Sequence, residues 1–301
     1  MMKREMMMKK KIVIFALAMI LPLWAAARPD RDPVTAAMAG ANLSGVLSPA
    51  WGARTNPAAI VFAPERFAAA AGWQDWMPRH DGGHAYSLAA AGAFGDRFGF
   101  GGALSRLSGE PYDVISAAGS PSGMFTPSEF DLSAGLGVRF AECWAVSASF
   151  RFLQSRLTDR YAAQVFGASV LATYRQSDFA LSAGLTDLAT QADGHPVLPA
   201  AVALAGAWTP AAAGRHAFLA ELDAKAYLSG GFAASLGMQY GFDAMFFARA
   251  GYRFSNAVLD LPSHASAGVG VKFRGVALDL SCLFASPTLA GTLLVGLAYS
   301  F

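Results

Sequence analysis

Cysteine is almost missing from this sequence of 301 residues, which contains only Cys143 and Cys282. Two cysteines exclude a disulfide framework. Charge is scarce as well. Asp, Glu, Lys and Arg make up 15% of the chain against 54% hydrophobic residues, whereas soluble domains carry about 25% charge. Beyond the first eleven residues there is no basic run, so nothing marks a nucleic-acid partner. The histidines His80, His84, His195, His216 and His264 are scattered. His80 and His84 flank a Gly-Gly turn, and Ser263 and His264 point apart on a strand, so neither metal binding nor hydrolysis is indicated. Residues 99–102 are rich in glycine, but no helix follows them. They read as close-packed strand positions rather than a phosphate loop. No enzyme activity, catalytic residue, metal or cofactor is expected.

Apolar runs long enough for a membrane helix are absent from the body of the chain. The two uncharged stretches, 196–214 and 280–301, are interrupted by Pro199, Pro210 and Pro287 and resolve into short alternating pieces. The one continuous run, residues 12–24, follows Lys3, Arg4, Lys9, Lys10 and Lys11 and ends at Ala25-Ala26-Ala27. That is the pattern of a cleaved secretory signal peptide over residues 1–27. About 274 residues would remain, with a formal charge of −2.

What the chain has in abundance is alternation. From Glu129 to Arg139 polar and small residues alternate with Phe130, Leu132, Ala134, Leu136, Val138 and Phe140. After three turn residues the pattern restarts with Trp144, Val146, Ala148, Phe150 and Phe152 on one face. A period of two is a β-strand, so this is a hairpin with one apolar and one polar face. Fourteen such segments follow residue 65, near 66–73, 84–94, 98–108, 129–140, 144–152, 165–174, 179–186, 200–208, 216–226, 232–240, 245–254, 264–273, 276–284 and 290–301. Most approach the roughly ten residues that a tilted transmembrane strand needs.

The connections sort by parity. Those at 95–97, 141–143, 175–178, 209–215, 241–244 and 274–275 are short; the alternate set, 74–83, 109–128, 153–164, 187–199, 227–231, 255–263 and 285–289, is mostly longer. An even strand number with short turns on one side is what an outer-membrane barrel requires. The predicted fold is therefore all-β, a transmembrane antiparallel barrel of about 14 strands, residues 66–301. Residues 28–65 lack strand periodicity and read as an N-terminal hatch inside the barrel, because irregular backbone at membrane depth survives only within protein or a wet cavity. Outer-membrane lipid is the expected surrounding.

Charges on the inward faces are the candidate functional residues. They are Glu129, Asp131, Arg139, Arg151, Glu221, Asp223, Lys225, Arg249, Arg253, Lys272 and Asp279. Two readings are open: cross-strand pairs that hold the hatch, or a polar conduit with Arg249, Arg253 and Lys272 as a basic wall. The last strand ends on Phe301, which resembles the terminal aromatic signal read by the barrel-assembly machinery.

Three pieces resemble the PorV/PorQ proteins of the Bacteroidota, relatives of the FadL long-chain fatty acid transporters. They are residues 36–41 (AAMAGA) ahead of Asn56-Pro57-Ala58, residues 248–254 (ARAGYRF), and residues 267–273 (AGVGVKF) leading into Leu278-Asp279-Leu280-Ser281. The resemblance implies a fourteen-stranded barrel with an N-terminal hatch. It implies either an accessory role in protein secretion or surface assembly, with a secretion-system or surface-protein partner, or FadL-like uptake of a hydrophobic ligand such as a long-chain fatty acid.

Overall fold

The computed structural model describes residues 31–80, 82–115, 121–156, 158, 162–190, 198–257 and 260–301. The expected signal peptide and His195 lie outside them. Alternation becomes strands β1 (Phe67–Trp76), β2 (Gly83–Phe94), β3 (Phe98–Ser108), β4 (Tyr112–Ile115), β5 (Pro121–Phe125), β6 (Ser128–Ala141), β7 (Trp144–Arg156) and β8 (Ala162–Gln176). The chain continues through β9 (Phe179–Ala189), β10 (Ala201–Trp208), β11 (His216–Tyr227), β12 (Phe232–Phe242), β13 (Phe246–Ser255), β14 (His264–Phe273), β15 (Val276–Phe284) and β16 (Leu293–Ser300). All but β4 and β5 form one closed antiparallel barrel of fourteen strands. Closure is made by β1 against β16, from Ala68 opposite Ser300 to Asp75 opposite Leu293. The Phe301 carbonyl completes it by accepting from the Arg66 and Phe67 amides at 2.8 and 3.0 Å.

Side chains divide between the two faces as the period demands. On β6, Leu132, Leu136 and Phe140 are 44%, 67% and 62% exposed, while the intervening Asp131 and Ser133 are 4% and 3% exposed. Every barrel wall repeats this, so the outside is an apolar surface that only lipid can cover. The short-turn rim carries the hairpin turns. Arg274 and Gly275, both at positive φ, form the two-residue link between Phe273 and Val276, in the backbone state favoured by tight hairpins. At the opposite, long-loop rim the connection between β3 and β6 contains the β4–β5 hairpin, which pairs only with itself. The sequence reading leaves this pair inside a loop.

Residues 31–65 run through the lumen from its long-loop half to the short-turn rim. Asp32 starts the first turn of helix α1 (Pro33–Ala37): its carboxylate accepts from the Val34 and Thr35 amides at 2.9 and 3.1 Å, and Pro33 sits at the first helical position. A second short helix, α2 (Pro49–Gly52), leads to a 3-10 helix at Pro57–Phe62. Asn56 stays out of the helical region, as a residue before proline must. At the long-loop rim Leu261 and Leu289, from two loops, pack with Trp76, Leu107, Leu283 and Leu294.

Candidate functional site

The hatch sits in the lumen by shape first. Strands β3 and β6 present Gly99, Gly101, Gly135 and Gly137 inward, in register as Gly99 opposite Gly137 and Gly101 opposite Gly135. A Cβ on Gly137 would lie 2.4 Å from the Ala58 Cα, and one on Gly101 would lie 2.3 Å from the Ala53 Cβ. Across the barrel, Gly237 and Gly251 are paired on β12 and β13, and a Cβ on Gly251 would meet the Met38 carbonyl carbon at 2.3 Å. Glycine at these positions lets the hatch backbone approach the wall.

Hydrogen bonds then fix the position. Asn56 is fully buried. Its amide nitrogen donates to the Leu43 carbonyl at 3.1 Å, to Thr173 Oγ1 at 2.9 Å and to Ser182 Oγ at 3.3 Å, and its oxygen accepts from Ser147 Oγ at 3.2 Å. One side chain thus ties two parts of the hatch to β7, β8 and β9. Pro57 opens the 3-10 helix and Ala58 fills the space that Gly137 leaves. On β11, Asp223 accepts from the Asn42 and Leu43 amides at 3.0 and 2.9 Å, and Glu221 accepts from the Ser44 amide at 2.8 Å. These two carboxylates clamp a stretch of hatch that has no regular structure to satisfy its own amides.

The remaining inward charges are mostly paired. Arg151 binds Asp131, and reaches Asp187 at 3.1 Å. Arg249 meets Asp279 at 2.6 Å and Gln239 at 2.6 Å. Arg253 bonds Asp260 at 2.7 Å and Ser235 Oγ at 2.8 Å. Lys272 pairs with hatch residue Glu65 at 3.0 Å. Arg249, Arg253 and Lys272 are therefore each faced by a carboxylate and stand at different heights, and they make no continuous positive wall. Arg139 lies at the short-turn rim, stacked 5.1 Å over the Phe62 ring and bonded to the Glu142 carbonyl. Among the described residues the Lys225 side chain forms neither a hydrogen bond nor a direct ion pair; Asp223 and Asp260 are its electrostatic neighbours.

Between the hatch and the long-loop half of the wall remains a cavity of about 160 Å³. Asp131, Arg151, Asp223, Lys225 and Arg253 line it, together with residues that the sequence reading did not single out: Arg31, Asp32, Arg54, Trp51, Asp187 and Asp260. Arg31 pairs with Glu129 at 2.8 Å, and Arg54 approaches Asp131 at 3.6 Å. The available signal was their place: they are the charges within a segment already read as lying in the lumen. At the rim, burial alone would raise the Asp260 carboxyl, and the Arg253 guanidinium outweighs it, holding that group below the usual carboxylate range. Among the described residues there is no cluster of three or more His, Cys, Asp or Glu side chains placed to hold a metal.

No family model matches the chain. No curated protein matches it either. Solved structures do. The toluene transporter TodX of P. putida matches with a TM-score of 0.61 at 15% identity, over 92% of this chain and 99% of that one. A Pseudomonas aeruginosa FadL homologue matches at 0.52 and 13%, over 91% and 96%, and the CymD monoaromatic hydrocarbon channel at 0.54 and 14%, over 89% and 97%. The FadL side of the resemblance seen in the sequence is thus present in the architecture, and none of these matches points to its PorV/PorQ side. The chain has the fold of the FadL-like outer-membrane channels.

Proposed function

We propose that this protein is a FadL-like uptake channel of the outer membrane, exported by a cleaved signal peptide, that admits a small organic molecule through a hatch-filled barrel without catalysis. One observation carries the reading: the hatch crosses a closed barrel yet leaves an internal cavity of about 160 Å³ beside it, in the long-loop half. In this orientation the short turns face the periplasm and the cavity is the first compartment that a solute entering from outside meets. The size fits the neighbours' named solutes, since an apolar cavity of about 150 Å³ holds benzene. Toluene and monoaromatic hydrocarbons belong to those neighbours; for this chain the proposed property is small-molecule passage.

The test is reconstitution of the full-length mature protein into liposomes, following entry of benzoate, toluene and laurate. Entry of at least one probe faster than in protein-free liposomes is expected. No acceleration for any of the three would remove the uptake reading. A stoichiometric protein partner recovered with the gently extracted barrel would instead favour an accessory role in secretion or surface assembly.

A further inference from the structure

The cavity has the volume of a hydrocarbon site and the lining of something else. Its acidic groups are largely engaged. Asp131 is bound by Arg151, Asp187 accepts from Arg151, and Asp260 receives Arg253 on both oxygens. Asp32 is used by the start of α1 and by the Thr35 hydroxyl. Asp223 takes two hatch amides on Oδ2, leaving Oδ1 without a partner.

The cationic groups are not used up in the same way. The Arg54 guanidinium makes no hydrogen bond among the described residues, and its nearest carboxylate oxygen is 3.6 Å away. The Lys225 side chain, which also lines the cavity, has no direct partner among the described residues. Arg31, with its side chain 3% exposed, donates to Glu129 through one nitrogen, while its Nη1 bonds nothing. A buried donor without a partner costs about 1–3 kcal/mol, more when it is charged. Spare donor capacity on three cations, set against two carboxylate oxygens that accept no hydrogen bond among the described residues, Asp223 Oδ1 and Asp187 Oδ2, favours a ligand that brings an acceptor with negative charge. Burying a neutral hydrocarbon here would leave those donors dry and unpaired.

We infer that the cavity takes a compact organic anion, a carboxylate-bearing molecule of about monoaromatic size, with its acidic group held by the cationic lining to which Arg54 and Lys225 contribute and its body beside Trp51. This rests on the uptake reading and narrows it to a solute class. The limited volume separates such a solute from a long acyl chain, and the lining separates it from a hydrocarbon.

Trp51 lines the cavity and supplies the readout. The detergent-solubilised full chain is titrated with benzoate, toluene and laurate while tryptophan fluorescence is followed, and Trp51→Phe identifies the part of the signal that belongs to the cavity. Saturable benzoate binding is expected, weakened at least tenfold by Arg54→Gln or Lys225→Gln, with toluene and laurate producing no change that depends on Trp51. Slower migration after boiling, the sign of a folded barrel, qualifies each variant. Isothermal titration of benzoate into unsubstituted protein gives the same answer without any variant. Toluene or laurate binding with no benzoate binding overturns the anion and leaves uptake standing, as does benzoate binding indifferent to both substitutions. Binding of none of the three overturns the anion, and if liposome entry also fails, uptake falls with it.

Discussion

The two sides of the hatch meet the wall in different ways. Against β3 and β6, and again against β12 and β13, inward glycines let the hatch backbone and its apolar side chains, such as Ala53, Ile60 and Met38, lie directly on the wall backbone. Against β7, β8, β9 and β11, contact is made by polar side chains reaching across to hatch atoms. The first kind of contact is dry and cannot be loosened by degrees, because close packing tolerates little displacement. The second can be exchanged for a solute or water at small net cost, since most hydrogen bonds contribute only about 0.5–1.5 kcal/mol net. The glycine seats therefore hold the hatch, and the polar side is where a passing molecule can compete for it.

The seats give the largest expected effect. Gly137→Val puts a branched side chain where even a Cβ would lie 2.4 Å from the Ala58 Cα. Overpacking of this kind costs about 1–3 kcal/mol, and the hatch has to leave its seat to avoid it. Rapid proteolysis at Arg54 and amide exchange over residues 42–62 should follow, in a barrel that still migrates as folded. Retained protection would show that the seat is not what holds the hatch.

Asn56→Ala comes next. It removes two N–H donors, shared among the Leu43 carbonyl, Thr173 Oγ1 and Ser182 Oγ, and one acceptor from the interior. Thr173 and Ser182 keep their mutual contact at 3.0 Å, so the loss falls mainly on the Leu43 carbonyl and Ser147. About 2 kcal/mol of hatch docking should go, visible as faster amide exchange in the hatch with the barrel strands unchanged. Glu221→Gln with Asp223→Asn should do less, about 1 kcal/mol, because neutral amide oxygens still accept from the Asn42, Leu43 and Ser44 amides.

The smallest effect is at the long-loop rim. Asp260 has a depressed carboxyl because it faces Arg253. A depressed group stabilises the fold above its unfolded pKa of about 3.9, and that contribution is lost as pH falls through the lower folded value. The protection factors of amides around residue 261, taken against the intrinsic rate at each pH, should stay constant from about pH 7 to 5 and fall below about pH 4, with Asp260→Asn abolishing the fall. A midpoint near neutrality would contradict the pairing.

The barrel was legible because period two survives wherever one face is lipid and the other lumen. It failed where that division stops. β1 extends to Trp76, past the expected end at 73, because near the rim Trp76 faces inward and Asp75 outward, reversing the polarity pattern. The β4–β5 pair was missed because its strands are short, contain Pro121 and separate no lipid from lumen. Within the hatch, Asn56, Pro57 and Ala58 stood out locally, as a polar residue before proline in a small-residue segment. Arg31 and Arg54 did not, since their partners Glu129 and Asp131 come from a strand far along the sequence and meet them only after closure. For the same reason the sequence could place Arg249, Arg253 and Lys272 on neighbouring strands but could not show that a carboxylate faces each one.

The central claim is that the hatch, and not the wall or the rim, closes the lumen. Its most direct test is the ionic conductance of single barrels in planar bilayers, comparing the mature protein with a variant lacking residues 31–64. The account predicts almost no current through the first and a stable open channel through the second, with both migrating as folded barrels. Equal conductance in the two, or a barrel that stays closed without its hatch, would contradict it.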